Sequence, residues 1–131
     1  MNEMKGNMIG WFEIYVQDMN RAKSFYESVF KRKLEKLGNP ATIEQQIEMF
    51  AFPGDMTSYG ANGSLVKMPG FSSGKNSVLI YFSCQDCANE EALVREFGGR
   101  VEKSKFSIGE YGFISICYDT EGNMIGLHSM Q

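Results

Sequence analysis

The chain has 131 residues, 43% of them hydrophobic, with 13 Lys and Arg against 16 Asp and Glu for a net charge of −3. That is one domain's worth of sequence, with enough apolar residues for a core and too many for a disordered chain. The acidic balance, with no basic cluster longer than Lys31-Arg32-Lys33, argues against a nucleic-acid partner, and no apolar run approaches the roughly 20 residues of a membrane span.

Met1 to Gly10 carries Glu3 and Lys5 and no continuous apolar stretch, so no signal peptide is read here and a cytoplasmic protein is expected. From Trp11 the pattern alternates. Phe12, Ile14 and Val16 form one strand face, and Trp11, Glu13 and Tyr15 form the other. The period then changes: Ala22, Phe25, Tyr26, Val29 and Phe30 fall on one face of a helix, with Asp18 placed to cap its first turn. Gly38-Asn39-Pro40 reads as a turn. Ile43 to Phe52 suggests a strand or two, closed by Pro53-Gly54-Asp55, and Ser58 to Met68 a further strand broken by Gly60 and Gly63. Phe71 to Asn76 is Gly/Ser-rich and reads as a linker.

The first unit then returns. Tyr15-Val16-Gln17-Asp18 is echoed by Ser83-Cys84-Gln85-Asp86 about half the chain later, and Arg32-Lys33-Leu34-Glu35-Lys36 by Gly99-Arg100-Val101-Glu102-Lys103. The second copy predicts a strand over Ser77 to Cys84 and a helix over Cys87 to Phe97. Glu90 and Glu91 lie early in that helix, and Gly98-Gly99 ends it. Strands follow at about Val101 to Phe106 and Gly112 to Tyr118, then a turn at Asp119 to Asn123 and a last strand at Met124 to Ser129. The whole is a single α+β domain over 1–131 of two βαβββ modules, at about 8–69 and 77–130 with a linker at about 70–76, whose strands share one curved sheet with the helices outside.

Three cysteines make no disulfide framework. Cys84-x-x-Cys87 at a helix start could be a redox pair or half a zinc site, but Cys84 occupies the slot of Val16, a core position, and the core reading is preferred. Cys117 can face either side of the sheet. Asn62-Gly63-Ser64 is a glycosylation sequon without a secretory signal. No phosphate loop or nucleophile elbow is present.

The run Phe12-Glu13-Ile14-x-Val16-x-Asp18-x-x-Arg21-Ala22-x-x-Phe25-Tyr26-x-x-Val29-Phe30, the Gly-Gly pair and Asp119-Thr120-Glu121-Gly122-Asn123-x-Ile125-Gly126-Leu127-His128-Ser129 resemble the glyoxalase/bleomycin-resistance/extradiol dioxygenase group, the vicinal oxygen chelate superfamily. The resemblance implies a cup-shaped sheet and, in most enzyme members, a divalent metal held in the cup by His, Gln or Glu. It also implies a homodimer, in some members with each cup built from both chains. Carried onto this sequence, the ligand positions fall on Trp11, Leu79, Gly126 and near Gly63, none of which can hold a divalent cation, so no metal ligand is assigned.

Period two places Glu13, Tyr15, Tyr81, Ser83, Met124 and His128 on the same face as those positions. Trp11, Tyr15, Leu79, Tyr81, Ser83, Met124 and Gly126 are the expected ligand-binding residues, and Glu13 with His128 the candidate acid/base pair. The bland readings are a structural Glu13–His128 hydrogen bond, tyrosines that pack, and a Trp11 that seals a dimer. Three functions follow: a small-organic-molecule binder without the usual metal; a lyase, isomerase or dioxygenase with a divalent ion displaced to Glu13 and His128; or a non-catalytic scaffold or regulatory dimer.

Overall fold

The computed structural model describes residues 6–38, 46–55 and 57–131. The expected turn at Asn39-Pro40 and the strand onset at Ile43 lie outside them. In chain order the elements are β1 (Trp11–Tyr15), α1 (Met19–Phe30), β2 (Glu35–Lys36), β3 (Glu48–Ala51), β4 (Asn62–Lys67), β5 (Ile80–Ser83), α2 (Cys87–Glu96), β6 (Arg100–Ser107), β7 (Phe113–Tyr118) and β8 (Met124–Ser129). The strands form two four-stranded mixed sheets, β1-β4-β3-β2 and β5-β8-β7-β6, each with one parallel pair, β1 with β4 and β5 with β8. The repeat seen in the sequence is therefore a repeat of topology, one sheet and one helix per copy.

Both helices begin on the repeated aspartate. Asp18 accepts from the Arg21 backbone N–H and Asp86 from that of Ala88, each satisfying a donor that the first turn leaves free. Met19, Ala22, Phe25, Tyr26 and Val29 form the buried stripe of α1. They meet Ile14, Val16 and Leu65 of the first sheet and, across the module boundary, a core that includes Ile125, Leu127 and Cys117 of the second. Phe30 stacks on Phe82 at 4.5 Å, and Tyr26 sits edge-on to Phe52 at 5.4 Å. Glu91, expected only to complement the helix dipole, is buried; it accepts from the Ser115 hydroxyl and the Lys105 N–H, tying α2 to β7 and β6.

Several strand boundaries differ from expectation. β5 starts at Ile80 rather than Ser77, because the Asn76 side chain pairs with the Met124 backbone in both directions and takes the place of a strand there. β4 starts at Asn62 because Asp55 gathers the N–H and hydroxyl groups of Thr57 and Ser58 into a loop, which ends with Gly60 at φ +96°. Gly63 does not break the strand. The Phe12 ring lies over it, where a Cβ would come within 2.6 Å.

Candidate functional site

Strand pairing settles which residues share the face opposite the helices. Ile14 pairs with Leu65 and Phe82 with Leu127, all in or against the core, so their neighbours turn the other way: Trp11 opposite Asn62, Glu13 opposite Ser64, Tyr81 opposite Gly126 and Ser83 opposite His128. Gly63 faces Phe12 and the core, leaving Asn62 and Ser64 as the β4 groups on the open face. The Ser64 hydroxyl is buried there and finds no hydrogen-bond partner among the described residues.

On β1 the structure brings three expected residues together. The Tyr15 hydroxyl donates to Glu13 Oε1 at 2.7 Å, and the Trp11 indole N–H lies 3.4 Å from Glu13 Oε2. The hydrogen bond to Glu13, then burial, then the nearby charge push the Tyr15 phenol up to about 12. Phe71 stacks on the Tyr15 ring at 4.9 Å. Glu13, Tyr15 and Met124 line a cleft of about 500 Å³ whose far wall is the segment Ser72 to Val78. Tyr81 and Ser83 belong to a second cleft of about 350 Å³ with Phe30, Phe52, Tyr59 and Glu90. Phe12 and Ile80 line both, so the two clefts flank the gap between the edge strands β1 and β5.

Other expected residues stand apart. His128 Nε2 is 2.6 Å from the Tyr111 carbonyl, and no hydrogen bond joins His128 to Glu13; the imidazole sits on β8 beside Ser83, in the other sheet from Glu13. Gly126 is roofed by Tyr81, whose ring would lie 2.4 Å from a Cβ placed there. Leu79, half-buried, precedes β5 and lines neither cleft. Cys117 is fully buried in the core and so faces the helices. Cys84 is not an activated thiol: burial first, then Glu90 and Cys87, push it up to about 12.

Phe71 and Lys75 were not predicted for the site, since a Gly/Ser-rich stretch gives no period from which to assign a face; Val78 was not predicted because alternation along the expected strand puts it with Ile80 and Phe82, away from Tyr81. The one available signal was a bulky aromatic opening an otherwise small-residue linker. Asn123 holds that linker in place, accepting from the Gly74 N–H and donating to the Tyr15 carbonyl.

A divalent ion does not fit this face. Its donors are the Glu13 carboxylate, already held by two neutral donors, the Asn62 amide, the Ser64 and Ser83 hydroxyls, and the His128 imidazole, which sits in the other sheet from Glu13 against the Tyr111 carbonyl; among the described residues no three His, Cys, Asp or Glu gather to hold a metal. The profile of the Glyoxalase/Bleomycin resistance protein/Dioxygenase superfamily matches residues 8–127, almost the whole chain. The chain belongs to that superfamily. Its fold is similar to that of hypothetical protein SA1046 from S. aureus (TM-score 0.67, 17% identity, 97% of this chain and 95% of that one). It is likewise similar to TnmS3, an antibiotic binding protein from Streptomyces sp. CB03234 (TM-score 0.64, 22% identity, 98% and 100%). Glyoxalase I from Zea mays matches with a TM-score of 0.68 at 17% identity over 91% of this chain, which spans 44% of the maize chain. No curated protein sequence matches. Among the described residues of this superfamily member, no helix is long and apolar enough to cross a membrane.

Proposed function

We propose that this superfamily member binds a small organic molecule in the cleft beside β1, without the divalent metal used by most enzymes of the group. The observation that carries this reading is the set of residues at the expected ligand positions: Trp11 on β1, Leu79 before β5, and a Gly126 roofed by the Tyr81 ring. Side chains of this kind leave no metal cage, while the cleft itself joins apolar surface from Phe12, Ile80 and Met124 to the polar groups of Glu13 and Tyr15, which is the make-up of a small-molecule site. The likeness to TnmS3, described as an antibiotic binding protein, supports a binder on this fold. A homodimer belongs to the same reading. β1 and β5 each carry a free edge among the described residues, and Trp11 and Tyr81, 45% and 46% exposed, stand where a second chain would complete the enclosure.

Metal content decides the first part. Purified protein incubated with zinc, nickel, manganese or iron(II) and then dialysed is expected to retain far less than one ion per chain by mass spectrometry, with an unchanged melting temperature. One retained ion per chain together with a raised melting temperature would overturn metal-free binding and favour a metal-dependent lyase, isomerase or dioxygenase.

A further inference from the structure

We infer that the cleft beside β1 selects an organic cation, a protonated amine on an aromatic body, with Glu13 as its counter-ion, Tyr15 as the aromatic group lining the cleft next to it, and Trp11 bound to Glu13 at the rim. This rests on the small-molecule reading and names the ligand class. Glu13 is the sole carboxylate lining the cleft, and no salt bridge engages it among the described residues. Its hydrogen bonds come from a phenol and an indole, both neutral. These fix the carboxylate's position and leave its charge uncancelled. Tyr15 remains a donor throughout the working pH range because its phenol is held up to about 12.

The aromatic frame favours the same charge. Phe71 holds the Tyr15 ring from one side at an interplanar angle of 25°, so the ring keeps its orientation without a ligand. The Trp11 indole turns its N–H edge toward Glu13 and is half exposed. Both rings turn their polar edges to Glu13, and the Tyr15 ring, whose face carries negative quadrupole density, lines the cleft beside that carboxylate, so a cation there meets both. Phe12, Ile14, Val78, Ile80 and Met124 supply apolar surface for the rest of the ligand. Among the described residues Lys75 is the one basic residue on the lining; it stands on the linker wall, exposed and at φ +51°, without an ion pair to Glu13. An anionic ligand would have to use it against the field of Glu13.

Three probes of matched shape test the charge: 1-naphthylmethylammonium, 1-naphthylmethanol and 1-naphthoate, titrated by calorimetry at low ionic strength. The Trp11 indole N–H resonance reports the place of binding, since the chain has a single Trp. The ammonium is expected to bind about tenfold tighter than the alcohol, with naphthoate weakest. Glu13→Gln, at an exposed position, should bring ammonium and alcohol to within about twofold of each other. If the alcohol or naphthoate binds the wild type as tightly as the ammonium, or the preference survives Glu13→Gln, the cation assignment fails while small-molecule binding stands. If no probe moves the Trp11 resonance at millimolar concentration, both readings fall together.

Discussion

Tyr15 has three neighbours that set its behaviour: Glu13 accepts the hydrogen bond its hydroxyl donates, Phe71 stacks on its ring, and the Asn123 amide donates to its carbonyl. The raised phenol follows chiefly from the first, because ionising Tyr15 breaks a bond to a carboxylate and sets two negative charges side by side. In Glu13→Gln the Tyr15 phenol is therefore expected to titrate below about 12, back toward its ordinary 10.0 but held above it by burial, read from tyrosine ring-carbon NMR shifts against pH. For a group raised on folding, the stability it brings is complete below pH 10 and is lost as pH rises through about 12. The stability gap between wild type and Glu13→Gln should thus be flat from neutral pH to 10 and shrink above it. An unchanged Tyr15 titration in the variant would show that burial, not Glu13, sets the shift. The alternation from Trp11 to Val16 was enough to place Glu13 and Tyr15 on one face. It carried no information on Phe71, which reaches Tyr15 from more than fifty residues away.

The helices and the central strands were legible because each has a period and a cap of its own. The Asp18 and Asp86 caps, the α1 stripe and the Gly-Gly end of α2 all follow from local rules. Element ends set by side chains from elsewhere were not legible, as with Asn76 displacing the start of β5. The end of α2 separates the two kinds of constraint in adjacent residues. Gly98 has φ +100°, the left-handed conformation that a helix end asks of glycine. Gly99 has no such φ, but a Cβ there would meet the Tyr118 carbonyl at 2.5 Å and the Phe25 and Val94 side chains at 2.8 Å. Gly98→Ala is expected to cost about 1 kcal/mol of backbone strain, and Gly99→Ala about 2–3 kcal/mol by forcing α1 and β7 apart. Urea unfolding of the two variants checks the order. A larger loss for Gly98→Ala would mean that the crowding at Gly99 relaxes cheaply.

At the scale of the molecule, the segment Asp119 to Asn123 acts as more than the turn its sequence announces. Asp119 accepts the Tyr26 hydroxyl at 2.6 Å, and Glu121 accepts the Gln17 and Asp18 N–H groups and the Arg21 side chain at 2.7 Å, so the second module holds the first module's strand-to-helix junction and the middle of α1. A glutamate two residues into a turn gives no hint of partners a hundred residues earlier, which is why the tether was invisible in the sequence. Burial alone would raise the Glu121 carboxyl, but the bonds from Arg21, Asp18 and Gln17 outweigh it and hold Glu121 below its usual 4.5. A depressed carboxyl adds stability above its unfolded value and loses it as pH falls through the folded one. Glu121→Gln keeps an acceptor for the two backbone groups but must turn either an N–H or a neutral oxygen toward Arg21, and is expected to cost about 2 kcal/mol at pH 7. The gap to wild type should close as pH drops below the Glu121 pKa, where the wild-type side chain is neutral as well. Asp119, shifted upward by burial, titrates in both proteins and largely cancels in the difference. A gap that stayed constant down to acid pH would make the tether a matter of shape rather than charge. Because Asn123 in the same segment positions the linker wall and β1, loosening this tether should also widen the cleft beside Glu13.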